Sequence, residues 1–404
     1  MTLDQAINRH AAEMIDLLGA LVAIPSVSGR ERPVTEFVAE YARRLGFAVD
    51  LWQADEEELA RLGPLPPKFL PLSGRPTLVV RCPGAGGGRS LMFNAHSDVV
   101  AAPDAGSWKF GPWSGMVHED KLHGRGACDT KGPLVSALWA MRALQSSGAR
   151  LAGDVLLELI PGEEDCVGLG TLTSVARGWK CDGVVILEPT EGEPRCASRG
   201  GLRFEITSLG KSVHGTVKWL GEDAIAQTPR ILQALNKLES QWNDRAADDL
   251  FSKYPVMRPI TVDAIHGGEW QGMICDRCVC AGYLELLPGD DLNEWALKFQ
   301  QSVLSELGDR GRFTVQIVEQ YFGHRTPPSS VLCSAAAEAA GTKIWSGFNS
   351  GCEAGLRARL HQTPTLVWGP GSLAQAHAVD EYVELQQLKS VAAQFASLCS
   401  LYCR

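Results

Sequence analysis

Residues 90–98 read SLMFNAHSD, an apolar run that stops on a histidine and an aspartate. A short apolar run without alternation is the pattern of a strand buried on both faces. The side chains that end it are of the kind a metal ion takes as ligands. The same event recurs along the chain. Asp129 sits in GRGACDTKG (124–132), Glu163 and Glu164 follow VLLELIPG (155–162), Glu188 closes on GVVIL (183–187), and His377 lies in GPGSLAQAHAVDE (369–381). Two histidines and several carboxylates, one of them able to bridge, are the donor set that a pair of Zn²⁺-like ions needs.

Working outward from residue 90, strand-like and helix-like segments alternate. TLVVRC (77–82), DVLLELIP (154–161) and GVVILEP (183–189) read as strands; PLVSALWAMRALQSSG (133–148) and LGTLTSVARG (169–178) read as helices. Strand–helix alternation with solidly apolar strands predicts an α/β fold, a mostly parallel sheet flanked by helices. In such sheets ligands gather beyond the carboxyl ends of the strands, where His96, Glu163, Glu164 and Glu188 fall. Helical periodicity covers 11–22 and 33–45, and the stretch from Asp55 to Leu72, acidic and then proline-rich, reads as an exposed loop.

The pattern changes near Gly200. LRFEITSL alternates as a half-buried strand, and a β-α-β-β-α-β order follows over residues 200–322, the signature of a ferredoxin-like α+β unit. A helix, a strand (TPTLVWGP) and a last helix (385–402) then return to the first pattern. The expected domains are therefore a catalytic domain in two parts, 1–199 and 323–404, with an inserted domain at 200–322.

Composition bounds the function. At 404 residues the chain exceeds one ordinary hydrophobic core. A net charge of −9 argues against nucleic acid as the main partner, because phosphate binding needs a basic face. No apolar stretch approaches the roughly 20 residues of a membrane span, and the N-terminus lacks the basic start and apolar block of a signal peptide; a cytoplasmic protein without a membrane partner is expected. The 12 cysteines are not framework-spaced and read as reduced thiols. Cys275, Cys278 and Cys280 contain one C-x-x-C without a second pair, and fit a strand better than a zinc ribbon.

Each candidate has a plainer alternative. His96 and Asp98 lie on the same side of an extended segment, so Asp98 can accept a hydrogen bond from the imidazole nitrogen that does not face the metal; the two can equally satisfy each other. Asp129 can be a helix N-cap. Glu163 and Glu164 are adjacent acids that repel unless a cation or proton intervenes; Glu164 can bind metal while Glu163 serves as general base, or both can line a solvated turn. Glu188 can be a surface acid, and His377 an ordinary loop histidine near Asp380 and Glu381. His214, in GKSVHGT of the inserted domain, can donate to a developing oxyanion across the cleft or be a plain loop residue.

Taken in order, FNAHSDVV, HGRGACDTKG, IPGEEDCVGLG, ILEPT, GKSVHGT and GPG…AHAVDE resemble the di-zinc amidohydrolase and peptidase family of acetylornithine deacetylase, succinyl-diaminopimelate desuccinylase, aminoacylase-1 and carboxypeptidase G, over nearly the whole chain. The resemblance implies two Zn²⁺, with Co²⁺ able to substitute. It places His96, Asp129 and Glu188 on one ion, and Asp129, Glu164 and His377 on the other, with Glu163 as general base. It also implies an inserted domain that acts as lid and homodimer surface, with His214 completing the neighbouring subunit's site. The expected substrate is an N-acyl amino acid, or in the rival reading a dipeptide or short peptide; a silent metal-stabilised binding protein is the third reading. The chain departs from the family at Ser97 and Thr130, where methionine is frequent, and lacks the Asp-x-Arg strand whose arginine binds a substrate carboxylate. Arg357 and Arg359 are the possible substitutes, and Trp108, Phe110 and Trp113 a possible apolar wall.

Overall fold

The structure is a computed structural model that describes residues 2–62, 70–102, 104–244, 246–343 and 345–404. Ten strands build its two large sheets: β1 (Ala48–Trp52), β2 (Thr77–Cys82), β3 (Leu91–His96), β4 (Val155–Ile160), β5 (Gly183–Ile186), β6 (Gly200–Leu209), β7 (Ile260–Gly267), β8 (Arg277–Leu286), β9 (Arg312–Tyr321) and β10 (Thr365–Val367). The first sheet runs β1-β2-β4-β3-β5-β10. β4, β3, β5 and β10 are mutually parallel, while β1 and β2 form an antiparallel edge.

The apolar run that marked β3 is buried on both faces. Leu91, Phe93 and Ala95 join a core with the helices Gly132–Ser147 and Leu385–Tyr402. Met92, on the opposite face, packs with Val79, Leu156, Val184 and Ile186. Phe395 is central to the first core, with its ring centroid 4.9 Å from Phe93 and 5.1 Å from Trp368.

The second sheet runs β7-β8-β6-β9, every pair antiparallel, with helices Thr228–Asn243 and Leu292–Leu307 inserted after its first and third strands. This is the ferredoxin-like order. Leu202, Phe204 and Ile206 face those helices, so Gly201 and Arg203 lie on the reverse face. Asp291 caps the second helix by accepting from the amides of Asn293 and Glu294.

Some local expectations change. β1 and the short helix Leu3–Arg9 carried no sequence signal that stood out. Part of the Asp55–Leu72 segment is a short helix, Glu56–Ala60, and its residues 63–69 lie outside the described residues. The twelve cysteines are free thiols, and Cys278 and Cys280 alternate with their neighbours on β8. No helix among the described residues is long and apolar enough to cross a membrane. Replacing Phe395 with Ala is expected to cost about 3–5 kcal/mol, read as a lowered denaturant midpoint.

Candidate metal centre

Register brings the strand ends together. His96 on β3 lies opposite Ile160 on β4, and Asn94 lies opposite Ile186 on β5. The three strands finish in step, so the turn carrying Glu163 and Glu164 and the position of Glu188 flank His96. The imidazole is fixed by its own loop: Nδ1 lies 2.9 Å from the main-chain carbonyl of Asp98, and Nε2 lies 3.0 Å from Asp129 Oδ1. Nδ1–H donating to that carbonyl leaves Nε2 with a lone pair for a metal.

Asp98 therefore works differently from the sequence expectation. Its carboxylate stands 3.7 Å from Nδ1 and is used elsewhere. It accepts from the amides of Gly162, Glu163 and Glu164 at 2.9, 3.2 and 3.1 Å and from the Ser28 hydroxyl at 2.9 Å. The tight turn after β4 points three successive N–H groups inward, and a carboxylate satisfies all three at once.

A second carboxylate holds the Asp129 loop in the same way. Glu381 accepts from the amides of Cys128 and Asp129 at 2.9 and 3.2 Å, and takes Arg125 Nη1 at 2.6 Å. The other arm of Arg125 reaches the His377 carbonyl at 3.2 Å. Gly126 makes this loop possible: its φ is +85°, and a Cβ there would lie 2.7 Å from Val99 Cγ1. His377 Nε2 is 3.1 Å from Glu164 Oε2 and 3.6 Å from Asp129 Oδ2.

Two groups of donors that could hold a metal result, His96–Asp129–Glu188 and Asp129–Glu164–His377, each with its donor atoms within 4.8 Å of one another. Asp129 belongs to both. The electrostatics fit cations. Burial and the Glu188 charge hold Glu163 well above the usual carboxylate range; burial and the Asp129 charge do the same to Glu188. Glu164 is raised by burial despite its bond to His377. Burial disfavours charge on His96, but the hydrogen bond and charge of Asp129 outweigh it and raise the imidazole well above its usual value. Divalent ions would relieve this repulsion. A third acidic group, Glu31–Asp98–Asp165, already has its cation: Arg75 Nη2 is 2.6 Å from both Glu31 and Asp165.

The donor groups open into a cavity of about 550 Å³ between the two sheets. Asp129, Glu163, Glu164, Glu188 and His377 line it, opposite Arg203, Tyr283 and Glu285 of the second sheet. His214 is not among these lining residues; it is exposed and pairs with the Thr216 hydroxyl at 2.8 Å. Arg357, offered with Arg359 as a possible substitute for the carboxylate-binding arginine, is fully buried against Glu158 at 2.5 Å, Arg359 stacks 4.3 Å over Phe322, and neither lines the cavity. Trp108 and Trp113 lie under Arg125 and Lys131, and Phe110 packs on His118 and His123. None of the three aromatics lines the cavity. Sequence reasoning missed Arg203, Tyr283 and Glu285, whose signal was their place on the polar face of alternating strands.

Residues 92–400 match the model of peptidase family M20/M25/M40. The chain is 24% identical to N-formyl-4-amino-5-aminomethyl-2-methylpyrimidine deformylase of Halalkalibacterium halodurans, over 95% of this chain and 92% of that protein. It is 29% identical to acetylornithine deacetylase of Salmonella arizonae, over 93% and 94%. The dipeptidase Dug1p of Saccharomyces cerevisiae superposes with a TM-score of 0.81 at 15% identity, over 99% of this chain and 98% of that one.

Replacing Asp98 with Ala releases three amides of the turn that presents Glu164. Co²⁺ affinity, followed by absorption of the bound ion, is expected to fall roughly 10–100-fold with the far-ultraviolet dichroism retained.

Proposed function

Because the chain belongs to peptidase family M20/M25/M40, we propose that it is a two-metal amidohydrolase that removes a short acyl group from a small amine or amino acid. The observation that carries this reading is Glu163. It belongs to neither donor group, yet lines the cavity beside both. A binding protein has no use for a spare carboxylate among its ligands.

His96, Asp129 and Glu188 would hold one Zn²⁺ or Co²⁺, and Asp129, Glu164 and His377 the other; such a pair supplies Lewis acidity to the scissile carbonyl and to the attacking water. Glu163, beside both donor groups, would take the water's proton and return it to the departing nitrogen. The new C–O bond forms first, the C–N bond then breaks as the nitrogen takes the proton, and the products are a carboxylate and a free amine. Asp98 and Glu381 keep the ligand loops in place through their amides. The names of the two sequence relatives, a deformylase and a deacetylase, support acyl removal. A carboxypeptidase reading needs a cation for the substrate carboxylate; Arg203 is the one arginine or lysine among the described lining residues, and its Nε, 3.1 Å from Glu319, has no hydrogen-bond partner among them.

A second copy of the chain would bring His214 to the site. His214 pairs with Met273 across an isolated bridge. Trp219 and Leu220 follow it in sequence and Trp270 precedes Met273 across the bridge, the two tryptophans being exposed at 74% and 79%. An apolar surface of this kind favours association.

Glu163→Gln is expected to lower kcat by roughly 10²–10⁴-fold while two metals per chain remain by elemental analysis. Undiminished turnover would move the base to another residue.

A further inference from the structure

The inserted domain reaches the turn that carries Glu163 and Glu164, and an irregularity in its own sheet makes that reach possible. On β9, Ile317 lies opposite Phe204 of β6, and both pack in the core under the helices of that domain. Continued without interruption, the same register would set Val318 opposite Arg203 and Glu319 opposite Leu202, among the apolar side chains. The register instead shifts between Ile317 and Glu319. Glu319 then stands opposite Arg203, on the face turned to the cavity. One extra residue in a strand re-aims the side chains that follow it, and bulges recur beside active sites for that reason.

So placed, the Glu319 side chain leaves its own domain. Its Oε1 accepts from the Val167 amide at 3.1 Å, while Oε2 stands 3.1 Å from Arg203 Nε as an ion pair. Val167 comes three residues after Glu164 and lines the cavity. Other carboxylates hold the rest of this turn. Asp98 takes the amides of Gly162, Glu163 and Glu164, and Glu353 takes that of Gly168 at 2.8 Å. Both of these stand outside the inserted domain, whereas Glu319 acts from within it. Glu319 is only 6% exposed, and burying a carboxylate costs free energy that an apolar side chain would not. The bond to Val167 is what this buried charge secures.

We propose that Glu319 is a positioning residue: from the inserted domain it fixes the turn that presents Glu163 to the cavity and Glu164 to its metal. This assignment rests on the two-metal reading of the site. Without the Val167 acceptor, the end of the turn nearest the helix Leu169–Arg177 is released, while Asp98 still holds its start. The donor group that contains Glu164 is loosened first. His96, Asp129 and Glu188 stand on other strands and loops and keep their places.

The test uses the full chain, Co²⁺ alone as probe, and two variants. Glu319→Ala removes the acceptor, whereas Glu319→Gln retains an oxygen for the Val167 amide. In a titration followed by absorption, one of the two Co²⁺ ions is expected to bind Glu319→Ala roughly 10–100-fold more weakly. The other ion is expected to bind as in wild type, and Glu319→Gln to recover most of the loss. Hydrogen exchange read by mass spectrometry reports on the turn itself. In the metal-free protein, exchange of residues 162–168 is expected to be about tenfold faster in Glu319→Ala and near the wild-type rate in Glu319→Gln. Equal weakening of both ions, weakening of neither, or a Glu319→Gln protein no better than Glu319→Ala would overturn the proposal. If wild type binds fewer than two Co²⁺, the two-metal reading fails. The exchange rates then decide by themselves: faster exchange in Glu319→Ala alone supports the hold on the turn, and unchanged exchange refutes it.

Discussion

Asp129, Glu163, Glu164 and Glu188 converge on one small space, and the mutual repulsion of these carboxylates is the constraint that the rest of the structure answers. The answer is layered. Behind the donors stand two more carboxylates, Asp98 and Glu381, each absorbing successive main-chain amides of a ligand loop. Those N–H groups bring partial positive charge while pinning the loops from the rear. Behind the carboxylates come guanidinium groups: Arg125 on Glu381, and Arg75 between Glu31 and Asp165. Negative and positive layers thus alternate outward from the donor groups.

That layering also separates the two kinds of acidic cluster in this molecule. Glu31, Asp98 and Asp165 are as close as the donor groups are, but Arg75 is built into their midst and the Asp98 oxygens are consumed by amides. Among the described residues no arginine or lysine pairs with Asp129 or Glu164; their side-chain partners are the imidazoles of His96 and His377, which can present a lone pair to a metal.

How much of this was legible depended on whether a feature was local. The helices at 11–22 and 385–402 begin and end where periodicity placed them, and the apolar runs ending at residues 96, 160 and 186 are strands whose parallel register aligns their ends. The donor residues were readable because each interrupts such a run. Asp98's task was not, because its amides come from a turn more than sixty residues away. Arg357 was misplaced for a related reason. Glu158 is a charge in the middle of VLLELI, a strand buried throughout, and such a charge demands a buried partner; that demand was the available clue to Arg357. Arg203 and Glu285 looked like the solvent side of half-buried strands. Only the placement of the second sheet over the first turns that side into a cavity wall.

The cavity is therefore made of two surfaces. Its floor comes from loops that follow parallel strands, and each floor residue is locked by amides, by Arg125 or by another donor. Its roof is one face of an antiparallel sheet, where every second residue can change without disturbing the helices packed on the reverse. There glycine at 201 and 351 makes room for Tyr321, whose hydroxyl crosses β6 to reach Glu285. Outside Glu319, the roof can thus change what it presents to the cavity while the floor keeps its donor groups in place.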